Sequence, residues 1–155
     1  MGTPESETLG IISYMQRRGY DTSSGVAVLR RIFLESWFEP GLHRFWRAWN
    51  PVYGYVLWRF YLVLGGRRRP VLATLLAFAA CGFFAHDLVT IVVTGDPTLA
   101  ITITFLVYGA MTLASRKWES TIRLERLPGA LNAFLNVSLL ALGLAAGPLI
   151  WACLR

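Results

Sequence analysis

Three apolar runs restrict the fold of this chain more tightly than any other feature. Residues 71–94, 98–115 and 130–154 contain no Lys, Arg, Asp or Glu except Asp87. As a helix the first run reaches roughly 36 Å, beyond the roughly 30 Å hydrocarbon core of a bilayer. The expected fold class is therefore all-α. It is an integral membrane helical bundle with three full spans, at about 71–94, 98–115 and 130–154. Hydrophobic residues make up 55% of the 155, against about 45–50% apolar content in an ordinary soluble domain. The excess is expected to face lipid.

The run from Val52 to Leu64 is too short to cross alone, at roughly 20 Å, and it carries Arg59. A partial membrane helix at about 51–64 is expected there, surrounded by protein. Ahead of it, residues 24–49 alternate Val28, Leu29, Ile32, Phe33 and Trp37 with Arg30, Arg31 and Glu35, the pattern of an amphipathic helix at the interface. Pro40 and Gly41 break it. Residues 1–24 have no clear period and read as a partly ordered lead-in to a single helical membrane domain over 25–155. No apolar core of a signal peptide follows the polar first ten residues. Pro148 should loosen the last span, and Asn132 and Asn136 form a polar i,i+4 pair near its start.

The net charge of +6 comes from 14 arginines and one lysine. No aromatic and basic RNA motif accompanies it, so the charge points to anionic headgroups and cytoplasmic loops, with no nucleic-acid partner. Arg67, Arg68 and Arg69 precede the first span, and Arg116, Lys117, Arg123 and Arg126 follow the second, so both loops are expected on the cytoplasmic side. Asp96 and the C-terminus would then lie opposite. The Arg, Ala and Gly bias suits a GC-rich bacterial genome, hence a multi-pass protein of the bacterial inner (plasma) membrane. Cys81 and Cys153 lie inside apolar runs without a CxxC spacing, so no metal site is expected.

His86 and Asp87 interrupt the first span, and an ionisable group at mid-membrane is a functional hypothesis by default. A histidine hydrogen-bonded within the bundle is the plain alternative. Gly82, one turn earlier, admits close approach by another group. The Gly65-Gly66 stop and Pro70 start punctuate a helical hairpin, and Asn50 and His86 each lie 18 residues from Arg68. Equal arms would bring them level, inside the bundle and able to share a pocket. Asn50 also reads as the N-cap of the helix that Pro51 begins. His43, Arg47 and Asn50 fall on one helical face, while Trp46, Trp49 and Trp58 suit an interfacial aromatic belt equally well.

The strings FWRAWNPVYGYVLWRFY and CGFFAHDLV together resemble the core of the membrane-bound O-acyltransferase family, nearest its sterol and diacylglycerol acyltransferase branch. The matching residues are Phe45, Trp46, Trp49, Asn50 and Pro51, then Phe83, Phe84, His86 and Asp87, within roughly 33–89. Asp87 stands where glutamate is common in that branch, and Tyr53 where a histidine often follows the proline. Complete members have two to three times as many spans, so the chain resembles the C-terminal catalytic core alone.

The resemblance implies His86 as catalytic base and Asn50 as its assistant, with Trp46, Arg47, Trp49, Tyr53 and Asp87 around the substrate. It implies transfer of an acyl group from acyl-CoA, or another acyl thioester, to a hydroxyl acceptor on a membrane lipid or glycan. Acyl-CoA would be a co-substrate, with no bound cofactor. Three spans and a partial helix cannot wall an acyl chain on every side, so a second membrane subunit or a homo-oligomer is the expected partner. Arg59, Asn132 and Asn136 are candidates for meeting it. The other class left open is a non-enzymatic or degenerate small membrane subunit.

Overall fold

Proline, glycine and asparagine set the helix boundaries. In the computed structural model, which describes residues 10–155, every regular element is helical. Helix α1 covers Ile11–Arg17 and α2 covers Gly25–Phe33, whose Ser24 hydroxyl accepts from the Ala27 N–H. A 3₁₀ turn over Glu35–Phe38 leads to the expected break at Pro40-Gly41, where Gly41 adopts φ 87°. Helix α3 (Leu42–Trp49) and helix α4 (Pro51–Val63) meet at Asn50, which caps α4. Gly65, at φ 72°, ends that arm, and Pro70 occupies the first turn of α5 (Pro70–Gly82). A π-helical turn, Phe83–Asp87, joins α5 to α6 (Leu88–Thr94) without a break. Helix α7 (Ala100–Ile122), a 3₁₀ turn Leu124–Arg126 and helix α8 (Gly129–Leu154) complete the described chain.

Two stretches are both long and apolar enough to cross a membrane: the continuous helix Pro70–Thr94, of 25 residues, and α8, of 26. Only 22% and 11% of their apolar windows are buried. A core helix in a soluble protein of this size would be mostly covered, whereas these present most of their surface outward. Helix α7 has 23 residues, but its last turns carry Arg116, Lys117 and Glu119, and its apolar stretch is correspondingly shorter.

Helix α7 forms the centre, with α5 and α8 antiparallel on either side. Small residues let the backbones close up. A Cβ on Gly82 would lie 2.7 Å from Thr102 Cα, and one on Gly109 would touch Leu75 and Phe78 at 3.2–3.3 Å. On α8, a Cβ on Gly143 would fall 2.1 Å from the Tyr108 ring, and one on Gly147 would fall 1.8 Å from Thr104 Oγ1. This Gly-x-x-x-Gly face suits association in lipid, where packing rather than water exclusion drives helices together. The antiparallel register sets the Arg67–Arg69 turn and the end of α7 at one end of the bundle, with Asp96 at the other.

Asn132 and Asn136 correct an expectation. Sequence reasoning assigned them to an external partner, but they are buried within the chain. Asn136 donates to the carbonyls of Trp37 (3.0 Å) and Glu39 (2.8 Å), and Asn132 donates to that of Leu124 (3.3 Å). An amide that would be costly in lipid instead clamps the amphipathic segment onto α8. Of the lead-in, residues 1–9 lie outside the described residues. The rest docks: Tyr14 packs on Tyr55 and Trp58, each at 5.5 Å between ring centroids, and the Tyr20 hydroxyl donates to the Ala48 carbonyl.

Candidate functional site

The Asn50 side chain accepts from the Tyr53 N–H at 3.0 Å through Oδ1, the N-cap bond that starts α4 ahead of Pro51. Its amide nitrogen makes no hydrogen bond among the described residues. One turn on, the Tyr53 hydroxyl accepts a 3.5 Å contact from the Cys81 thiol. That contact holds the beginning of α4 against the end of α5, just before the π turn that carries His86.

A π turn inserts one extra residue into a helix and shifts the side chains that follow; such bulges recur at functional sites. Here it gives His86 and Asp87 opposite environments. Asp87 is fully buried. Its Oδ1 accepts from the Ile101 N–H at 3.1 Å, and its Oδ2 accepts from the Thr102 N–H and the Thr102 hydroxyl, both at 2.6 Å. These are first-turn donors of α7, which would otherwise be orphaned, and a carboxylate there also meets the positive end of the helix dipole. The acidic group expected near substrate is thus engaged in joining two helices. Gly82 serves the same junction.

His86 is exposed, where sequence reasoning had it inside the bundle. Adjacent residues on a helix point about 100° apart, so the two side chains leave the turn in different directions. Its ring stacks on Phe105 at 5.5 Å between centroids, and Phe105 in turn lies 6.3 Å from Trp46. Phe105 therefore separates the histidine from the tryptophan. Trp46 and Trp49 are half-buried and meet edge to face at 5.6 Å, while Arg47 is exposed. The site residues fall into two groups that flank the α5–α7 seam: Asn50 and Tyr53 beside Cys81, and Trp46 with His86 around Phe105.

A second polar cluster was missed. His43 Nε2 lies 3.0 Å from Glu119 Oε2, and Arg44 pairs with both Glu119 and Glu125. Burial pushes the His43 pKa below the ordinary imidazole range, opposed by the Glu119 carboxylate. His43 Nδ1 is buried without a hydrogen-bond partner among the described residues, as are the Ser115 and Thr112 hydroxyls and Trp46 Nε1. The signal lay in Thr104, Tyr108, Thr112 and Ser115, which repeat at helical spacing within the apolar run and continue in register to Glu119 in the segment read as a loop. Beyond the cluster, Arg44, Arg116, Arg123 and Arg126 line an open cleft with Glu119 and Glu125. A smaller cleft at the α4–α5 turn is lined by Leu62, Gly65, Arg67 and Arg68. Neither involves Asn50 or His86.

No family model, curated protein or solved structure matches this chain.

Proposed function

We propose that this chain is a three-pass protein of the bacterial inner membrane that transfers an acyl group from an acyl thioester to a hydroxyl on a lipid or glycan. The observation that carries the reading is the π turn, whose imidazole has no hydrogen-bond partner among the described residues and lies beside an aromatic wall. In this reading helix α7 is the middle one of the three spans, entering at Ala100 and leaving lipid near Ser115. The chemistry needs no metal. The acceptor oxygen attacks the thioester carbonyl, His86 takes the hydroxyl proton, the C–S bond breaks, and the proton passes to the departing thiolate. Asn50, whose amide N–H groups have no partner among the described residues, supplies a donor for the acceptor or the oxyanion. Trp46 and Tyr53 line the approach to them.

His86 lies open at the surface, so one wall of the pocket has to come from a second membrane subunit or another copy of this chain. That exposure also supports a second reading, in which the chain is a non-catalytic subunit and His86 meets a partner's polar group. A single experiment separates the two. The chain is purified with whatever co-purifies, supplied with a labelled acyl thioester and membrane lipids, and compared with His86→Ala and Asn50→Ala. The acyltransferase reading expects ester formation that disappears with His86→Ala while the complex stays intact. Loss of the complex without any acyl transfer in the parent protein identifies the non-catalytic subunit. Turnover by the verified monomer would remove the dependence on a partner.

A further inference from the structure

We propose that the arginine cleft at the α7–α8 turn binds the phosphate of an anionic phospholipid. The inference rests on the membrane placement and is independent of acyl transfer. Within the cleft, Arg44 is paired with both carboxylates, Glu119 and Glu125. Arg116, Arg123 and Arg126 pair with no carboxylate among the described residues, although they line the same concavity. Guanidinium groups gathered this way repel one another unless an anion lies between them. The planar N–H fork of arginine matches the oxygens of a phosphate.

Backbone conformation adds a second observation. Arg123 sits at φ 52°, the one non-glycine residue with positive φ among those described. Helices that end in this left-handed conformation normally place glycine there, because a Cβ is disfavoured. Arginine at this position is explained by what its side chain lines.

Depth in the membrane identifies the source of the phosphate. Trp118 and Ile122 on the last turns of α7 are each 57% exposed, as suits a headgroup boundary. Helix α8 begins at Gly129, three residues after Arg126, and its first turns expose Leu131 and Phe134. A phospholipid whose phosphate enters the cleft can lay its acyl chains along that face. A soluble phosphate would leave the apolar face unused.

The test uses the full chain in detergent, with phosphatidylglycerol, phosphatidylcholine or inorganic phosphate added, and reads retained lipid by native mass spectrometry and stability by thermal unfolding. Phosphatidylglycerol should be retained over phosphatidylcholine, and the preference should fall about fivefold with each of Arg116→Gln, Arg123→Gly and Arg126→Gln. Arg123→Gly removes the backbone strain, so without lipid it should unfold no earlier than the parent, which separates lost binding from lost folding. Equal retention of the two lipids, or a preference that survives all three substitutions, overturns the proposal. Stabilisation by inorganic phosphate as large as by phosphatidylglycerol overturns the lipid assignment. Reconstituted protein that washes off vesicles at alkaline pH would overturn the membrane placement itself, whereas protein that stays without lipid preference overturns the cleft alone.

Discussion

Asp87 accepts three hydrogen bonds at full burial, while the neighbouring His86 ring stands exposed on one aromatic contact. Their substitutions should therefore separate. Asp87→Ala orphans two backbone donors at about 1–3 kcal/mol each, so it should destabilise the bundle by roughly 3 kcal/mol. His86→Ala forfeits only a ring contact and should cost under about 1.5 kcal/mol. Unfolding in graded denaturing detergent measures both, and equal losses would show that Asp87 does not lock α7. At His43 the prediction concerns pH. A histidine whose folded pKa lies below the unfolded value of about 6.5 binds fewer protons when folded, so its contribution is complete above that pH. It should be lost progressively as pH falls from about 6.5 through the lower folded pKa. Melting temperature against pH should show this decline, and His43→Gln should flatten it. A decline of the same size in the variant would assign the dependence to other groups.

Among the helices, what could be read from sequence was local. Pro51 behind an asparagine, Gly65 ahead of Pro70, and Pro40-Gly41 each act on their own backbone, and each marks a boundary in the fold. The π turn could not be read, because no residue of CGFFAHDLV encodes an inserted residue locally, and the Asp87 bonds to α7 that accompany it are tertiary. The destination of Asn136 was hidden for the same reason: its carbonyl partners on Trp37 and Glu39 lie nearly a hundred residues away, while Asn132 turns back to Leu124 in the preceding turn. The Gly143 and Gly147 spacing was visible in principle, but its meaning depends on Thr104 and Tyr108 facing it. Gly147→Val should be the more harmful of two α8 substitutions, because its Cβ meets both Thr104 Oγ1 and, at 2.9 Å, the Ala100 carbonyl. A loss of about 1–3 kcal/mol is expected, against under about 0.5 kcal/mol for Leu144→Val on the exposed face. Similar stability of the two variants would exclude close α7–α8 packing.

Across the whole molecule, the antiparallel order of α5, α7 and α8 groups the basic turns at one end, and the positive-inside rule would put that end in the cytoplasm. Single cysteines at positions 68 and 125 should label from the cytoplasmic side, and one at position 96 from the opposite side. A position 96 accessible from the same side as 68 would remove the three-pass arrangement. The Asp87 carboxylate has a consequence for how such a chain is made. Helix α7 cannot satisfy its first N–H groups alone, since their acceptor lies on the preceding helix. Asp87, in turn, has no neutralising partner until α7 emerges some fifteen residues later in synthesis. Each segment by itself is a poor passenger for the insertion machinery, and together they are complete. In the proposed three-pass arrangement, residues 70–122 should therefore leave the translocon as one hairpin, with the first span retained until α7 is ready to join it.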